Sequence, residues 1–259
     1  MNVTEILAMS FAGGAVACYL AAGSLFCAKK SRLAYIAAIV GWCFNVGIFI
    51  QNWYINGYPP FASMYQVLGD ISLLFVLLMV FIRLRYAEHG QLAPYFFFGA
   101  AIPLIGTLFM DRNMHWSLMP ALRSPYFVPH VCSYVLSYAL CAVAFLIGVV
   151  GFFRKDRSVR RERAMYLILR IAFPFMVSGL LLGALWADQV WGNYWTWDIK
   201  EVWSLITAAL YLCYFHARRV AGMKKYAGLF ATLGFFALIF TFLCVNVLPN
   251  TGGSLHIYT

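Results

Sequence analysis

Thirteen consecutive residues, WGNYWTWDIKEVW at 191–203, combine large aromatic rings with charged side chains. Four of the thirteen are tryptophan, and with Trp186 they bring five of the eight tryptophans of the chain into one short stretch. An aromatic belt at a membrane surface would instead spread its tryptophans over many helices. Trp191 and Trp195 are spaced i, i+4, which predicts a short interfacial helix with both rings on one face. This segment is suited to contact a flat apolar ligand.

Three histidines supply the metal-binding chemistry that such a surface lacks. His130 and His256 each adjoin a long apolar segment, and His216 follows Glu201 by about 22 Å of helix at roughly 1.5 Å per residue. Imidazole ligates haem iron, and the porphyrin favours aromatic contacts, so the combination predicts a haem site. Each histidine taken singly is equally well explained by a hydrogen bond to a backbone carbonyl or water at the membrane boundary.

Long apolar segments must position these residues. The chain of 259 residues is 63% hydrophobic and only 11% charged, and its mean hydropathy is +0.78. Backbone groups in lipid are satisfied within a helix. We therefore predict an all-α integral membrane protein, a polytopic bundle of about eight transmembrane helices, in a single membrane domain over 1–259. The predicted spans lie near 4–27, 33–51, 67–84, 93–110, 127–153, 166–187, 201–217 and 227–249.

The net charge of +10 has an uneven distribution along the chain. Fifteen of the 19 lysines and arginines fall in the loops after the first, third, fifth and seventh segments. The positive-inside rule then predicts that both termini and the Trp-rich loop lie on the extracytoplasmic side. This distribution argues against a nucleic-acid partner. The seven cysteines lie in apolar segments without a C-x-x-C pair, which excludes the common zinc, thiol-redox and covalent haem-attachment motifs.

The segment WGNYWTWDIKEVWSLIT, with His216-Ala217-Arg218 at the end of the next helix, resembles the WWD signature of the CcsA/ResC family of system II cytochrome c biogenesis. The resemblance continues in SPYFVPHVCSYVLSYA and in NVLPNTGGSLHIYT. It covers a haem-handling core of about 115–259, with the WWD segment at 186–203. A weaker match, WYINGYPPFASMYQ, has Tyr58 and Gln66 where the family usually has Arg and Glu.

The resemblance implies a role for each matching residue. His130 and His256 are expected to be axial ligands of haem b at the outer face, and His216 to ligate haem within the membrane. The remaining cofactor-binding residues form an aromatic platform for the haem and are Trp191, Trp195, Trp197 and Asp198. No catalytic residue is expected.

The implied function is that of a haem-handling subunit of a cytochrome c synthase, a haem lyase complex in which this chain does not act alone. It presents haem for covalent attachment to the C-x-x-C-H segment of an apocytochrome c outside the membrane. The expected partners are a CcsB/ResB-type membrane protein as a separate chain, the apocytochrome and a thiol-reducing protein. The favoured location is a bacterial plasma membrane rather than a plastid thylakoid membrane.

Two alternatives remain open at this point. One is a system I-type haem transport or chaperone protein, which shares the tryptophan signature. The other is a secondary transporter of a small solute, for which Asp70 and Arg170 are the candidate polar residues. A b-type cytochrome is disfavoured because no two histidines share a predicted span, and a purely structural subunit leaves the clustered tryptophans unexplained.

Overall fold

The computed structural model describes residues 3–110, 117–154 and 158–243. Within these ranges the chain forms α-helices and three short 3-10 helices, with no strand. This confirms the all-α prediction. The α-helices are α1 (Val3–Cys27), α2 (Ser31–Asn56), α3 (Met64–Arg85), α4 (Ala93–Thr107), α5 (Phe127–Phe153), α6 (Val159–Trp191), α7 (Ile199–Arg219) and α8 (Ala227–Leu243).

Six helical segments of the described ranges are long and apolar enough to cross a membrane, so the chain is a multi-pass membrane protein. They comprise α1, α2, α3, α5, α6 and α8, the last together with the 3-10 turn that precedes it. The predicted eight spans therefore correspond to eight helices, of which six meet this standard. α4 has only 15 residues, and α7 is more polar because charged side chains occupy both of its ends.

The first compact unit comprises residues 1–123. In it, α1 packs against α2 and α4, and α3 packs against α4 and α2. Glycines allow this close approach: a Cβ atom added at Gly23 would lie 2.6 Å from the Phe98 ring, and one at Gly41 would lie 2.9 Å from the Cys18 Cβ. Small residues at helix contacts are the usual means of association in lipid, where apolar burial gives no driving force.

Gln66 lies at the start of α3, within the segment that departs from the family pattern. The Ser63 hydroxyl accepts a hydrogen bond from the Gln66 N–H at 3.2 Å, and the Gln66 side-chain oxygen accepts one from the Ser63 N–H at 3.2 Å. Glutamate and glutamine serve equally at this position of a capping box. The replacement of the usual Glu therefore preserves the helix start. Asp70, four residues further along, is also buried.

The second compact unit comprises residues 124–259 and contains the predicted site. In its described part, α5 packs along α6 and α7 packs along α8, while α8 also contacts α5 and α6 contacts α7. Aromatic stacking joins two of these helices, since the rings of Phe145 and Phe235 lie 4.2 Å apart between centroids. α6 is the longest helix, with 33 residues, and its two halves contact different histidines.

Candidate functional site

The Trp-rich loop begins where a glycine ends α6. Gly192 adopts a left-handed conformation with φ 73°, and its N–H donates to the Asp188 carbonyl at 2.8 Å. Residues 192–198 are not helical. The predicted interfacial helix carrying Trp191 and Trp195 on one face is therefore wrong. Glycine commonly ends helices in this conformation, and here that preference outweighs the aromatic spacing.

Two acidic side chains clasp the loop onto the first turn of α7. The Asp198 carboxylate accepts a hydrogen bond from the Glu201 N–H at 2.7 Å, as the N-cap of the helix. The Glu201 carboxylate accepts from the N–H groups of Thr196 at 2.7 Å and Asp198 at 3.3 Å. Both carboxylates are buried. These hydrogen bonds hold Trp197, which lies between Thr196 and Asp198, in a left-handed conformation with φ 60°, which is rare for a bulky residue. Asp198 thus positions the loop.

The tryptophans of this region pair in two groups. Trp186 is buried and meets Trp191 edge-on, with ring centroids 5.0 Å apart. Trp195 meets Trp197 edge-on at 5.8 Å, and Trp197 is 70% exposed. Trp186 therefore belongs to the packed interior of the unit with the half-buried Trp191 against it, while the second group presents an indole at the loop surface. Trp203, the remaining tryptophan of the segment, packs against Phe240 of α8.

Asp188 also controls the electrostatics of the loop. Its negative charge and a hydrogen bond to it raise the pKa of Tyr194. The exposed Tyr194 phenol is accordingly a neutral hydrogen-bond donor at physiological pH.

His130 lies in the first turn of α5 and is inserted against α6. Its Nδ1 is 2.8 Å from the Gly179 carbonyl oxygen, and because a carbonyl can only accept, Nδ1 is the donor. Its ring stacks against Trp186 at 5.7 Å and meets Tyr134 edge-on at 5.1 Å. A Cβ added at Gly183 would lie 2.6 Å from the imidazole, so only glycine leaves room for the ring.

This arrangement sets the chemistry of the imidazole. A neutral ring whose Nδ1 carries the proton has its lone pair on Nε2, the nitrogen that would ligate iron. Carbonyl acceptors that fix the tautomer and the ring plane in this way are the usual outer contacts of metal-binding histidines. A purely structural histidine at the membrane boundary would also donate a hydrogen bond to a backbone carbonyl. The His130–Gly179 hydrogen bond is therefore compatible both with a role as an iron ligand and with a structural role.

Sequence reasoning missed three residues that shape this environment. Gly179 and Gly183 are spaced i, i+4 and receive Tyr134 and His130 respectively. Trp186 was counted within the WWD segment but was not assigned to the site, although its ring faces His130. The small-xxx-small spacing of the glycines was the available signal, because it marks a helix face that another helix approaches closely.

The other predicted outer ligand, His256, lies outside the described residues. The pairing of His130 with His256 therefore stays a prediction. Within residues 3–110, 117–154 and 158–243, three or more His, Cys, Asp or Glu side chains do not gather into a group that could hold a metal ion. Porphyrin iron differs from such an ion, since the macrocycle supplies four ligands and the protein only the axial ones.

His216 lies in the last turn of α7 and lines a groove of about 480 Å³ between α6 and α7. This volume falls within the range of roughly 300–1,000 Å³ typical of small-molecule sites. The α6 residues of the groove are Tyr166, Arg170, Phe173 and Pro174. The α7 residues are Leu212, Phe215, His216 and Arg219. Three aromatic rings and two cations thus surround one imidazole.

The arginines near His216 differ in their partners. Arg218, the residue in the H-x-R motif, does not line the groove but lies beside it: its guanidinium is 3.8 Å from the Glu162 carboxylate and 5.0 Å from the Tyr166 ring centroid. Arg219 shares the helix face of His216 because the two are spaced i, i+3. Neither Arg170 nor Arg219 has an ion pair within the described residues of the second unit.

His130 and the His216 groove contact α6 at different levels. Arg170 lines the groove, and Gly183 receives His130. At roughly 1.5 Å per residue, the 13 positions between them span about 20 Å of helix. The two histidines therefore lie against separate parts of one helix.

Comparison with known proteins identifies the family of this chain. The model of the cytochrome c assembly protein family matches residues 35–251. Similar proteins named cytochrome c biogenesis protein CcsA occur in Trieres chinensis, at 27% identity over 88% of this chain and 86% of the relative, and in Gossypium barbadense, at 28% identity over 82% and 81%. A CcsA of Chlamydomonas reinhardtii is 28% identical over 82% of this chain and 64% of the relative. The matched range runs from the first turns of α2 through α8, and we conclude that the chain belongs to the cytochrome c assembly protein family, in its CcsA group.

Proposed function

We propose that this membrane protein contributes to cytochrome c biogenesis by binding haem and presenting it for covalent attachment to an apocytochrome c. The observation that supports this most directly is His130, whose imidazole is oriented by the Gly179 carbonyl and stacked on Trp186 beside the Trp-rich loop. An oriented imidazole next to a cluster of indoles matches what an iron porphyrin requires on its axis and on its faces.

In this proposal His130 and His256 are the axial ligands of the outer site. Trp191, Trp195 and Trp197 form the aromatic surface, and Asp198 holds the loop that carries them. Two imidazoles complete the coordination of the iron. The histidine of the apocytochrome C-x-x-C-H segment then replaces one of them and brings the haem vinyl groups next to the cysteine thiols.

The bond-forming step belongs to the haem and the thiols. Each thiol adds across a vinyl double bond: a carbon–sulfur bond forms, and the thiol hydrogen goes to the neighbouring carbon, with no net oxidation. The chain contributes binding and orientation, and holding two reactants in register can lower a barrier by roughly 7–11 kcal/mol at best. The thiols must be reduced beforehand, which is the part we assign to a thiol-reducing protein.

His216 is the proposed ligand of haem on its way to the outer site. Its groove lies on the opposite side from the Trp-rich loop if the positive-inside orientation holds. A ResB-type membrane protein, as a separate chain, is the proposed source of the second axial ligand there. We place the complex in a bacterial plasma membrane, with a thylakoid membrane as the alternative because the relatives named above include plant and algal proteins.

An absorption spectrum of the complex tests this function. The chain is purified with its partner from cells supplied with haem, and we expect a low-spin bis-imidazole spectrum. Joint replacement of His130 and His256 by Ala should remove the outer haem signal. His89→Ala is the matched control, because His89 belongs to the first compact unit, pairs with Glu88 in a 3-10 helix and is not among the predicted ligands. A wild-type complex that remains colourless despite ample haem would contradict the proposal.

A further inference from the structure

We infer that Arg170 and Arg219 form the carboxylate-binding end of the α6–α7 groove and hold the two propionates of haem while His216 ligates its iron, an inference that rests on the function proposed above. No role was assigned to either arginine by the sequence motif, which instead contains Arg218. In this inference His216 ligates the iron, and Arg170 and Arg219, which line the same groove, each bind one carboxylate.

The first argument is the unneutralised charge of the groove. Within the described residues of the second unit, Glu162 pairs with Arg218, and no carboxylate pairs with Arg170 or Arg219. Arg170 is also exposed, about 16 Å from the start of α6 at roughly 1.5 Å per residue. A charged side chain within a membrane-spanning helix is costly and normally faces a partner or a functional cavity. Arg170 is such a residue, and Arg219 at the end of α7 adds a second cation to the same groove, so the pair indicates an anionic occupant.

The second argument is the shape and chemistry of the remaining walls. The rings of Phe173 and Phe215 meet edge-on at 5.5 Å, and Tyr166 meets Phe215 at 6.0 Å. They form an apolar aromatic wall beside the two guanidinium groups and the imidazole. Haem has an apolar macrocycle, a central metal that accepts an imidazole, and both carboxylates on one edge. An anionic phospholipid matches the guanidinium groups alone and leaves the imidazole and the aromatic wall without a role.

The third argument is geometric. His216 and Arg219 lie one turn apart on the same face of α7, while Arg170 faces them from α6. Guanidinium groups bind carboxylates through paired hydrogen bonds and are the usual choice for such anions. Arg170 lies close enough to Tyr166 for a ring contact, with its guanidinium carbon 5.8 Å from the ring centroid, and this contact limits its range of positions. The groove therefore has two cations, and the position of one of them, Arg170, is limited by a ring contact.

The test compares porphyrins that differ only in their carboxylates. The full chain carrying His130→Ala and His256→Ala, so that the outer imidazoles do not contribute, is reconstituted in phosphatidylcholine nanodiscs. Haem and its dimethyl ester are then titrated. Hydrogen bonds to charged groups predict roughly tenfold tighter binding of the free acid for each arginine. We expect R170Q/R219Q to abolish this preference, while R154Q, which changes an exposed arginine at the end of α5, keeps it.

Metal-free protoporphyrin IX separates this inference from iron ligation by His216. Its binding should fall at least about tenfold in R170Q/R219Q, in line with the loss of charge-assisted hydrogen bonds, and should be unchanged in His216→Ala. If His216 does not ligate iron, the haem spectrum is unaffected by His216→Ala, and the acid-over-ester preference of the metal-free porphyrin still reports on the arginines.

Two results would overturn the inference. One is that R170Q/R219Q still binds the free acid more tightly than the ester. If that variant also loses co-purified anionic phospholipid, the arginines bind lipid and not haem. The other is equal loss of acid and ester binding, which would mean that the arginines support the fold of the groove and not its recognition of carboxylates. Size-exclusion elution and thermal unfolding of R170Q/R219Q beside R154Q identify that second case.

Discussion

The two histidine environments along α6 differ in how they are enclosed. His130 is half-buried, hydrogen-bonded through Nδ1 and packed between Trp186 and Tyr134. His216 is exposed in an open groove with two arginines that have no ion pair within the part of the second unit that the structure describes. A ring held on several sides has a fixed position, whereas an exposed ring in an open groove can accept a ligand that arrives laterally.

This difference fits two steps of one process. The enclosed His130 suits a site at which geometry must be exact enough for a bond to form, because misplacement of reacting groups sharply lowers a rate. The open His216 groove suits a site that receives and releases cargo, for which retention must not be too strong. The stability effects of substitutions should therefore be large around His130 and small around His216.

Gly183→Ala tests the enclosed environment most severely. The added methyl group would lie 2.6 Å from the His130 ring, so either the imidazole or α5 must move. Overpacking of this kind costs about 1–3 kcal/mol in the free energy of unfolding. We expect that loss in a denaturant titration in detergent, together with loss of the outer haem spectrum.

Gly228→Ala is the matched control for this substitution. It also places a methyl group on a helical glycine of the second unit, but no atom lies within 4 Å of the added Cβ. We expect its unfolding free energy to be unchanged or slightly raised, since alanine favours helix. If both variants behave alike, Gly183 does not shape the His130 site.

Asp198→Ala tests the clasp that carries the Trp-rich loop. It removes the N-cap of α7, which costs about 0.5–2 kcal/mol, and releases the loop from the helix. Asp198→Asn should retain most of the stability because asparagine is an equally good N-cap. We expect outer haem binding to weaken in the Ala variant and the acid-over-ester preference of the inner groove to stay the same. Equal effects of Ala and Asn would mean that the Asp198 charge, and not its cap, is what matters.

The sequence alone predicted the helices well and their membrane character correctly, because long apolar runs leave few alternatives in lipid. The predicted span 127–153 coincides with α5. The helix through Trp191 and Trp195 was wrong because aromatic spacing does not show whether a following glycine will take a left-handed conformation. The extra turns of α6 before 166 were also missed, since their charged residues lack an apolar pattern.

The site was predictable only in its residue types. Histidines and tryptophans can be recognised by their chemistry, whereas the Gly179 carbonyl and the space at Gly183, which fix the His130 ring, carry no chemical signal in the sequence. The distinction between Arg218 and Arg219 was likewise invisible, because adjacent residues on a helix point about 100° apart and their partners depend on which helix packs beside them. Geometry from neighbouring helices decides such details.

Glu162→Gln tests the paired arginine beside the open groove. The Arg218–Glu162 pair is partly exposed, with side-chain exposures of 19% and 39%, so its loss should lower the unfolding free energy by at most about 1 kcal/mol. Arg218 retains its contact with the Tyr166 ring. A double-mutant cycle with Arg218→Gln measures the pair itself. A coupling well above 1 kcal/mol would show that this end of the groove is as rigid as the His130 site.

Trp197→Ala should have the smallest effect on stability and still a clear effect on function. Its indole is 70% exposed, so we expect the unfolding free energy to change by no more than about 0.5 kcal/mol. An exposed indole held at an unfavourable φ of 60° gains nothing for the fold, and a platform for haem is the reason we propose for its position. Outer haem occupancy should therefore fall while thermal unfolding is unchanged, and Trp203→Phe, within the packed contact to Phe240, should show the opposite pattern. Unchanged haem occupancy in Trp197→Ala would remove this residue from the platform.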